Sequence, residues 1–187
     1  MQKDIKQAVD VLRKGGTLLY PSDTRWALGC DATKTEAVDS IYKIKKQEEP
    51  QSQLVLVSDI GMLQNYIQEL PDIAWDLIEY AEKPLTLIFD NARNLAPNII
   101  ANDGSISIRV VKDEFARQLI ERFRKPLICT SANICGEPAP TFFDEVSEEV
   151  KAAVHHVVKW EQEDRTPKES AGIMQIKSNG EFKLIQQ

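Results

Sequence analysis

The sequence is short of several things, and each shortage removes a class of function. Only three cysteines occur in 187 residues: Cys30, Cys129 and Cys135. So sparse and odd a set makes no disulfide framework and suits a reducing compartment. Their spacing is not that of a zinc site, and only His155 and His156 are available to assist, so no metal ligands are expected. Two adjacent histidines in a strand face opposite sides, which predicts one exposed ring and one packed ring. No apolar run approaches the length of a membrane span, because charges interrupt every stretch. Residues 1–14 are charged and helical in pattern, without the apolar core of a signal peptide. A cytoplasmic protein without membrane contact is therefore expected. Cations are in deficit too: 23 Lys and Arg face 29 Asp and Glu, for a net charge of −6. A broadly basic surface is absent, so an anionic ligand needs a local basic pocket.

What is present reads as one globular domain over residues 1–187, with 42% apolar and 28% charged residues. Helical and extended patterns alternate. Ile5, Ala8, Val9 and Leu12 fall at helical spacing, and Gly15-Gly16 ends that helix. Thr17 to Tyr20 reads as a short buried strand closed by Pro21. Thr33 and Glu36 have capping-box spacing before a stripe of Ala37, Val38, Ile41 and Ile44. Leu54 to Val57 is a strand. Helical stretches are expected near 60–68 and 71–81, and strands over 86–89 and 105–110. Asp113 is placed to cap a helix whose inner face is Ala116, Leu119, Ile120 and Phe123. Leu127 to Cys129 is a strand running into a long loop, 131–140, followed by a helix near 144–152. Gly172 to Ile176 and Phe182 to Ile185 flank Asn179-Gly180, a strong hairpin signal. The polar stretch 160–169 reads as a loop. These elements predict an α/β fold with a mixed sheet.

Four segments carry side chains suited to chemistry. Tyr20-Pro-Ser-Asp-Thr-Arg-Trp-Ala-Leu-Gly-Cys30 sets Ser22, Asp23 and Thr24 just after a strand, where they can bond a ligand or simply form a turn. Lys43, Lys45 and Lys46 lie at a helix C-terminus, as a phosphate clamp or as complements to the helix dipole. Strand alternation puts Ser105, Ser107 and Arg109 on one face, and Arg109 is a fork for a carboxylate or an exposed surface arginine. Cys129-Thr-Ser-Ala-Asn133 opens from a strand C-terminus, where α/β proteins tend to bind ligands, although an Asx-type turn has the same look.

Taken in order, the segments resemble the YrdC/YciO family from about Val9 to Ile185. The matching motifs are Pro21-Ser-Asp-Thr-Arg-Trp-Ala-Leu-Gly-Cys30, Lys45-Lys46-Gln47, Pro84-Leu85-Thr86, a strand ending in Arg109, Ser131-Ala132-Asn133 and Glu169-Ser170-Ala171-Gly172. The resemblance implies a single twisted mixed α/β sheet, with helices packed on it and a large concave, locally basic cleft. It implies synthesis of threonylcarbamoyl-adenylate and pyrophosphate from L-threonine, bicarbonate or CO2, and ATP with Mg²⁺, without a prosthetic group. Transferase proteins would then carry the threonylcarbamoyl group to transfer RNA. By the same resemblance Lys45, Ser131, Asn133 and Ser105 would hold ATP, and Thr24, Arg109, Cys129 and Ser170 would hold threonine. No catalytic acid or base is implied.

The chain departs from the pattern at Gln47, where the family's Lys-x-Arg motif ends in arginine, and at Gln186, where the last strand commonly carries arginine. Trp26, Ala27 and Ala171-Gly172 also differ. A second reading follows from these departures: a non-enzymatic, YciO-like relative that binds a nucleotide or double-stranded RNA in the same cleft.

Overall fold

The computed structural model describes residues 1–48 and 52–186. Nine strands form one mixed sheet: β1 Leu18–Pro21, β2 Trp26–Gly29, β3 Leu54–Val57, β4 Leu85–Phe89, β5 Ile106–Val110, β6 Leu127–Ser131, β7 His156–Val157, β8 Gly172–Ile176 and β9 Phe182–Gln186. Their order across the sheet is β7-β1-β2-β6-β3-β5-β4-β8-β9. The pairs β1/β7, β3/β5 and β4/β8 are parallel, and the other neighbours are antiparallel. Six α-helices surround it: α1 Gln2–Arg13, α2 Thr35–Ile44, α3 Ile60–Leu63, α4 Ile73–Tyr80, α5 Glu114–Phe123 and α6 Glu148–Ala153.

The two faces of the sheet are covered unequally, and this creates the cleft. On one face, α2, α3 and α4 bury Val38, Ile41, Leu63 and Ala74 against strands from β2 to β8, including Leu28, Val55, Leu87, Ile108 and Ile176. On the other, α1 and α5 bury Ile5, Leu12, Phe115 and Leu119 against Leu18, Tyr20, Ala27, Leu56 and Cys129. No residue of β4, β5, β8 or β9 enters this second core. Their half of that face is left open.

The amphipathic helices expected from spacing are present, with Ile5, Ala8, Val9 and Leu12 buried on α1 and Ala116, Leu119, Ile120 and Phe123 buried on α5. Asp113 Oδ1 accepts from the Ala116 amide at 2.8 Å, the expected N-cap. The glycines after α1 serve two needs. Gly15 takes φ +80°, whereas a Cβ on Gly16 would lie 2.6 Å from Val11 Cγ1.

Several local expectations are corrected. Thr33 does not cap α2. Its hydroxyl donates to Asp31 Oδ1 at 2.6 Å, and the N-cap is Lys34. Asp31 is buried and needs those donors, so tertiary demand outcompetes the capping box. Pro21 lies within β1, and residues 26–29, read as loop, form β2. Both their faces are buried, so the alternation that marks a half-buried strand is missing. The helix expected near 60–68 is the single turn α3, and the one near 144–152 is a 3₁₀ turn at Phe143–Glu145 followed by α6, capped by Ser147. In the last hairpin only Gly180 of the Asn179-Gly180 pair has positive φ, at +85°.

His155 is exposed and His156 half-buried, as alternation predicts. His156 Nε2 is buried without a partner. Burial lowers its pKa below the ordinary 6.5. The unfolded chain accepts a proton that the folded chain resists, so stability is full above about 6.5 and falls as pH drops below it. Urea unfolding at neutral pH and at about pH 5 should show this loss, and His156→Gln should flatten it.

Candidate functional site

The open half of the sheet carries a cross-strand row in which Arg109 of β5 pairs with Thr86 of β4, Thr86 with Ile173 of β8, and Ile173 with Gln186 of β9. Strand alternation turns this row to the uncovered face. Above it lies a cavity of about 290 Å³, lined also by Thr24, Cys129, Ser131 and Ser170. A second cavity of about 380 Å³ is lined by Lys45, Gln47, Asn133 and Cys135. The two share a wall made of Leu54 and Cys129-Thr130-Ser131. A ligand in one therefore lies directly beside a ligand in the other.

The first cavity is organised around Arg109, which is only 5% exposed. Its Nη1 donates to Asp23 Oδ1 at 2.8 Å, while Nε and Nη2 donate to Thr86 Oγ1 at 3.1 and 3.0 Å. A guanidinium has five N–H groups, so donors remain for a ligand. Asp23 reaches it from the β1–β2 turn, which Ser22 closes: its amide donates to the Arg25 carbonyl at 3.0 Å and its hydroxyl to the same oxygen at 2.7 Å. The other Asp23 oxygen, Oδ2, is buried with no hydrogen-bond partner. Asp23 and Thr86 are thus site residues that the sequence reading did not assign. Their signal was there, in the Pro21 to Cys30 and Pro84-Leu85-Thr86 motifs. Burial pushes the Cys129 thiol up, so the shared wall carries a neutral thiol rather than a thiolate.

The second cavity is organised around Lys45, which follows α2 and is 6% exposed. Its Nζ donates to the Ser131 and Asn133 carbonyls at 2.7 and 2.9 Å, and lies 3.4 and 3.3 Å from Ser131 Oγ and Asn133 Oδ1. Burial lowers its pKa. No carboxylate pairs with it among the described residues, so its charge stays available to an anion. The two long side-chain contacts are those a phosphate oxygen can replace. Lys46 turns away and pairs with Glu149 at 2.8 Å, and Lys43 lines neither cavity.

The structure thus brings Thr24, Arg109, Cys129 and Ser170 to one cavity and Lys45 and Asn133 to the other, with Ser131 in both. Ser105 is not brought to either, and its amide donates to Asp103 Oδ1 at 3.0 Å. Gln47 and Gln186, the two departures, line the second and first cavity respectively. The 160–169 segment is fastened over the turn that carries Thr24, since Lys168 Nζ donates to the Ser22 carbonyl at 2.8 Å.

Residues 10–187 match the family model Sua5/YciO/YrdC, described as telomere recombination. The chain belongs to this family. It is 31% identical over 142 residues to the threonylcarbamoyl-AMP synthase of Hahella chejuensis, covering 75% of this chain and 77% of that one. The fold matches E. coli YciO with a TM-score of 0.83 at 20% identity, over 100% of this chain and 90% of that one. It also matches Pyrococcus abyssi Sua5 complexed with L-threonine, with a TM-score of 0.81 at 23% identity. That match covers 92% of this chain but only 50% of the Sua5 chain. No helix among the described residues is long and apolar enough to cross a membrane.

Breaking a buried ion pair on one side strands the other charge, at a cost of about 3–5 kcal/mol. Asp23→Leu should lower the unfolding free energy by about that amount in urea titrations. Adding Arg109→Met to the same chain should restore most of it.

Proposed function

We propose that the two joined cavities hold L-threonine and ATP, and that the protein is a threonylcarbamoyl-AMP synthase. The observation that carries this reading is the shared wall. It sets a buried guanidinium in one cavity and a buried ammonium in the other on either side of Cys129-Thr130-Ser131. The first fits an amino-acid carboxylate, and the second fits phosphate.

In this reading the spare donors of Arg109 take the threonine carboxylate, and Thr24 and Ser170 take its other polar groups. The backbone around Cys129 closes the pocket. Lys45, Ser131 and Asn133 face the nucleotide. The threonine amine adds to CO2 with loss of a proton, and the carbamate oxygen attacks the α-phosphorus of ATP. The bond to the β-phosphate breaks, and pyrophosphate leaves with the electron pair. A carbamate is already nucleophilic, so the protein's task is alignment and charge neutralisation. Mg²⁺ would enter with ATP as part of the substrate, because the amide, hydroxyl, ammonium and guanidinium groups here suit phosphate rather than a bare cation. The activated threonylcarbamoyl group would pass to transfer RNA through partner proteins.

A second reading rests on Gln47. With glutamine there and Lys46 bound to Glu149, the phosphate side of the cleft has Lys45 alone. Each lost charge-assisted contact costs about 1.5–3 kcal/mol. On that reading the chain binds a nucleotide without turning it over.

Incubation with threonine, bicarbonate and Mg-ATP separates the two. Threonine-dependent pyrophosphate and a threonylcarbamoyl adduct are expected. ATP binding without pyrophosphate, at protein levels where an arginine-bearing relative turns over, rejects the enzyme. Lys45→Ala should weaken ATP binding about tenfold by calorimetry, roughly 1.4 kcal/mol. Unchanged affinity removes Lys45 from the phosphate role.

A further inference from the structure

Charge is distributed unevenly over this acidic chain. Residues 1–14 and 114–125, which comprise α1, α5 and their ends, hold eight of the 23 Lys and Arg but four of the 29 Asp and Glu. The two helices pack side by side over one end of the sheet. Between their outer faces runs a groove of about 530 Å³, lined by the cations Lys6, Arg13, Arg122 and Arg124 and by Asp10 and Glu121. It shares no residue with the two cavities of the cleft.

The groove is electrostatically unspent. Glu121 is already bound by Arg117 at 2.8 Å. None of the four lining cations has an ion-pair partner among the described residues, and Arg122 bonds only the neutral amide of Gln2. Helix dipoles account for a cation at the end of each helix, but Lys6 stands in the middle of α1.

We propose that the α1–α5 groove is a docking surface for the phosphate backbone of a double-helical nucleic acid. Three features select this partner. Lys6 and Arg13 are two turns apart on one helical stripe, about 10 Å along the axis, so the cations form a row that one small anion cannot span. Three of the four are arginines, whose forks match phosphate oxygens. No aromatic side chain lines the groove, so it offers nothing for unpaired bases to stack on and fits a duplex read through its backbone. The acidic remainder of the surface repels a polyanion and so fixes the side on which it docks.

The test is fluorescence anisotropy of the full chain with labelled RNA and DNA duplexes across a salt series. With three to four phosphates neutralised, log affinity against log salt should have a slope of about −3. Arg13→Gln with Arg124→Gln should bring the slope to about −1 and cut affinity at least tenfold at low salt. The pair Lys6→Gln with Arg122→Gln should do the same, each variant keeping the wild-type urea midpoint. Salt-dependent duplex binding lost in both pairs and kept in Lys45→Ala supports the proposal. An unchanged slope in both pairs, loss in Lys45→Ala instead, no duplex binding by wild type, or a preference for poly-glutamate over either duplex overturns it.

Discussion

Arg109 and Asp23 meet at 2.8 Å with both side chains 6% exposed, and the open side of the molecule is arranged around that contact. The pair joins β5 to the β1–β2 turn, although β2, β6 and β3 lie between them in the sheet. It therefore draws the turn inward over the floor and gives the cleft its wall. A lone buried guanidinium would be costly, and so would a lone buried carboxylate. Thr86 takes two further N–H groups and fixes the plane of the fork. What remains unsatisfied, some guanidinium donors and Asp23 Oδ2, is polar capacity held within an otherwise packed sheet.

Lys45 plays the corresponding part on the other side of the shared wall. Its ammonium is held by two carbonyls of the 131–133 segment, so the loop and the cation fix each other. The Cys135 amide donates back to the Lys45 carbonyl at 2.7 Å, which ties the same loop to the end of α2 a second time. Loss of the arginine at position 47 leaves this scaffold intact, because its bonds come from Lys45 and backbone groups. The departures at Gln47 and Gln186 thus bear on how strongly an anion is held, not on whether the cleft forms. Family membership and cleft geometry are accordingly better supported than turnover.

The unequal cover on the two faces of the sheet makes a cleft possible at all. One face is sealed from β2 to β8, while the other is sealed only where α1 and α5 lie. Buried polar residues sit where the second seal stops: Thr86 and Arg109 are 4% and 5% exposed without belonging to either apolar core. The same helix pair that ends the seal carries the basic groove on its outer side, so one element limits the cleft and concentrates positive charge away from it.

The stripes of α1 and α5, the Asp113 cap, strands β3 to β6 and the last hairpin were legible in the sequence, because each follows from spacing within a few residues. The ordered motifs also named most of the cleft: Thr24, Lys45, Arg109, Cys129, Ser131, Asn133 and Ser170. β2 was not legible, because a strand buried on both faces has no alternation to read. Thr33 was misread because Asp31, a tertiary neighbour, claims its hydroxyl. Ser105 shares a strand face with Arg109, yet the turn at Asp103 holds it away from either cavity. Local order and candidate residues were thus determined by the chain itself, through periodicity and capping. Only the tertiary structure decided that Arg109 would bond Asp23 and that Lys45 would clamp the 131–133 loop, pairs separated by 86 to 88 residues. Such pairing depends on which strands become neighbours and which face stays uncovered, and no short stretch of sequence contains that information.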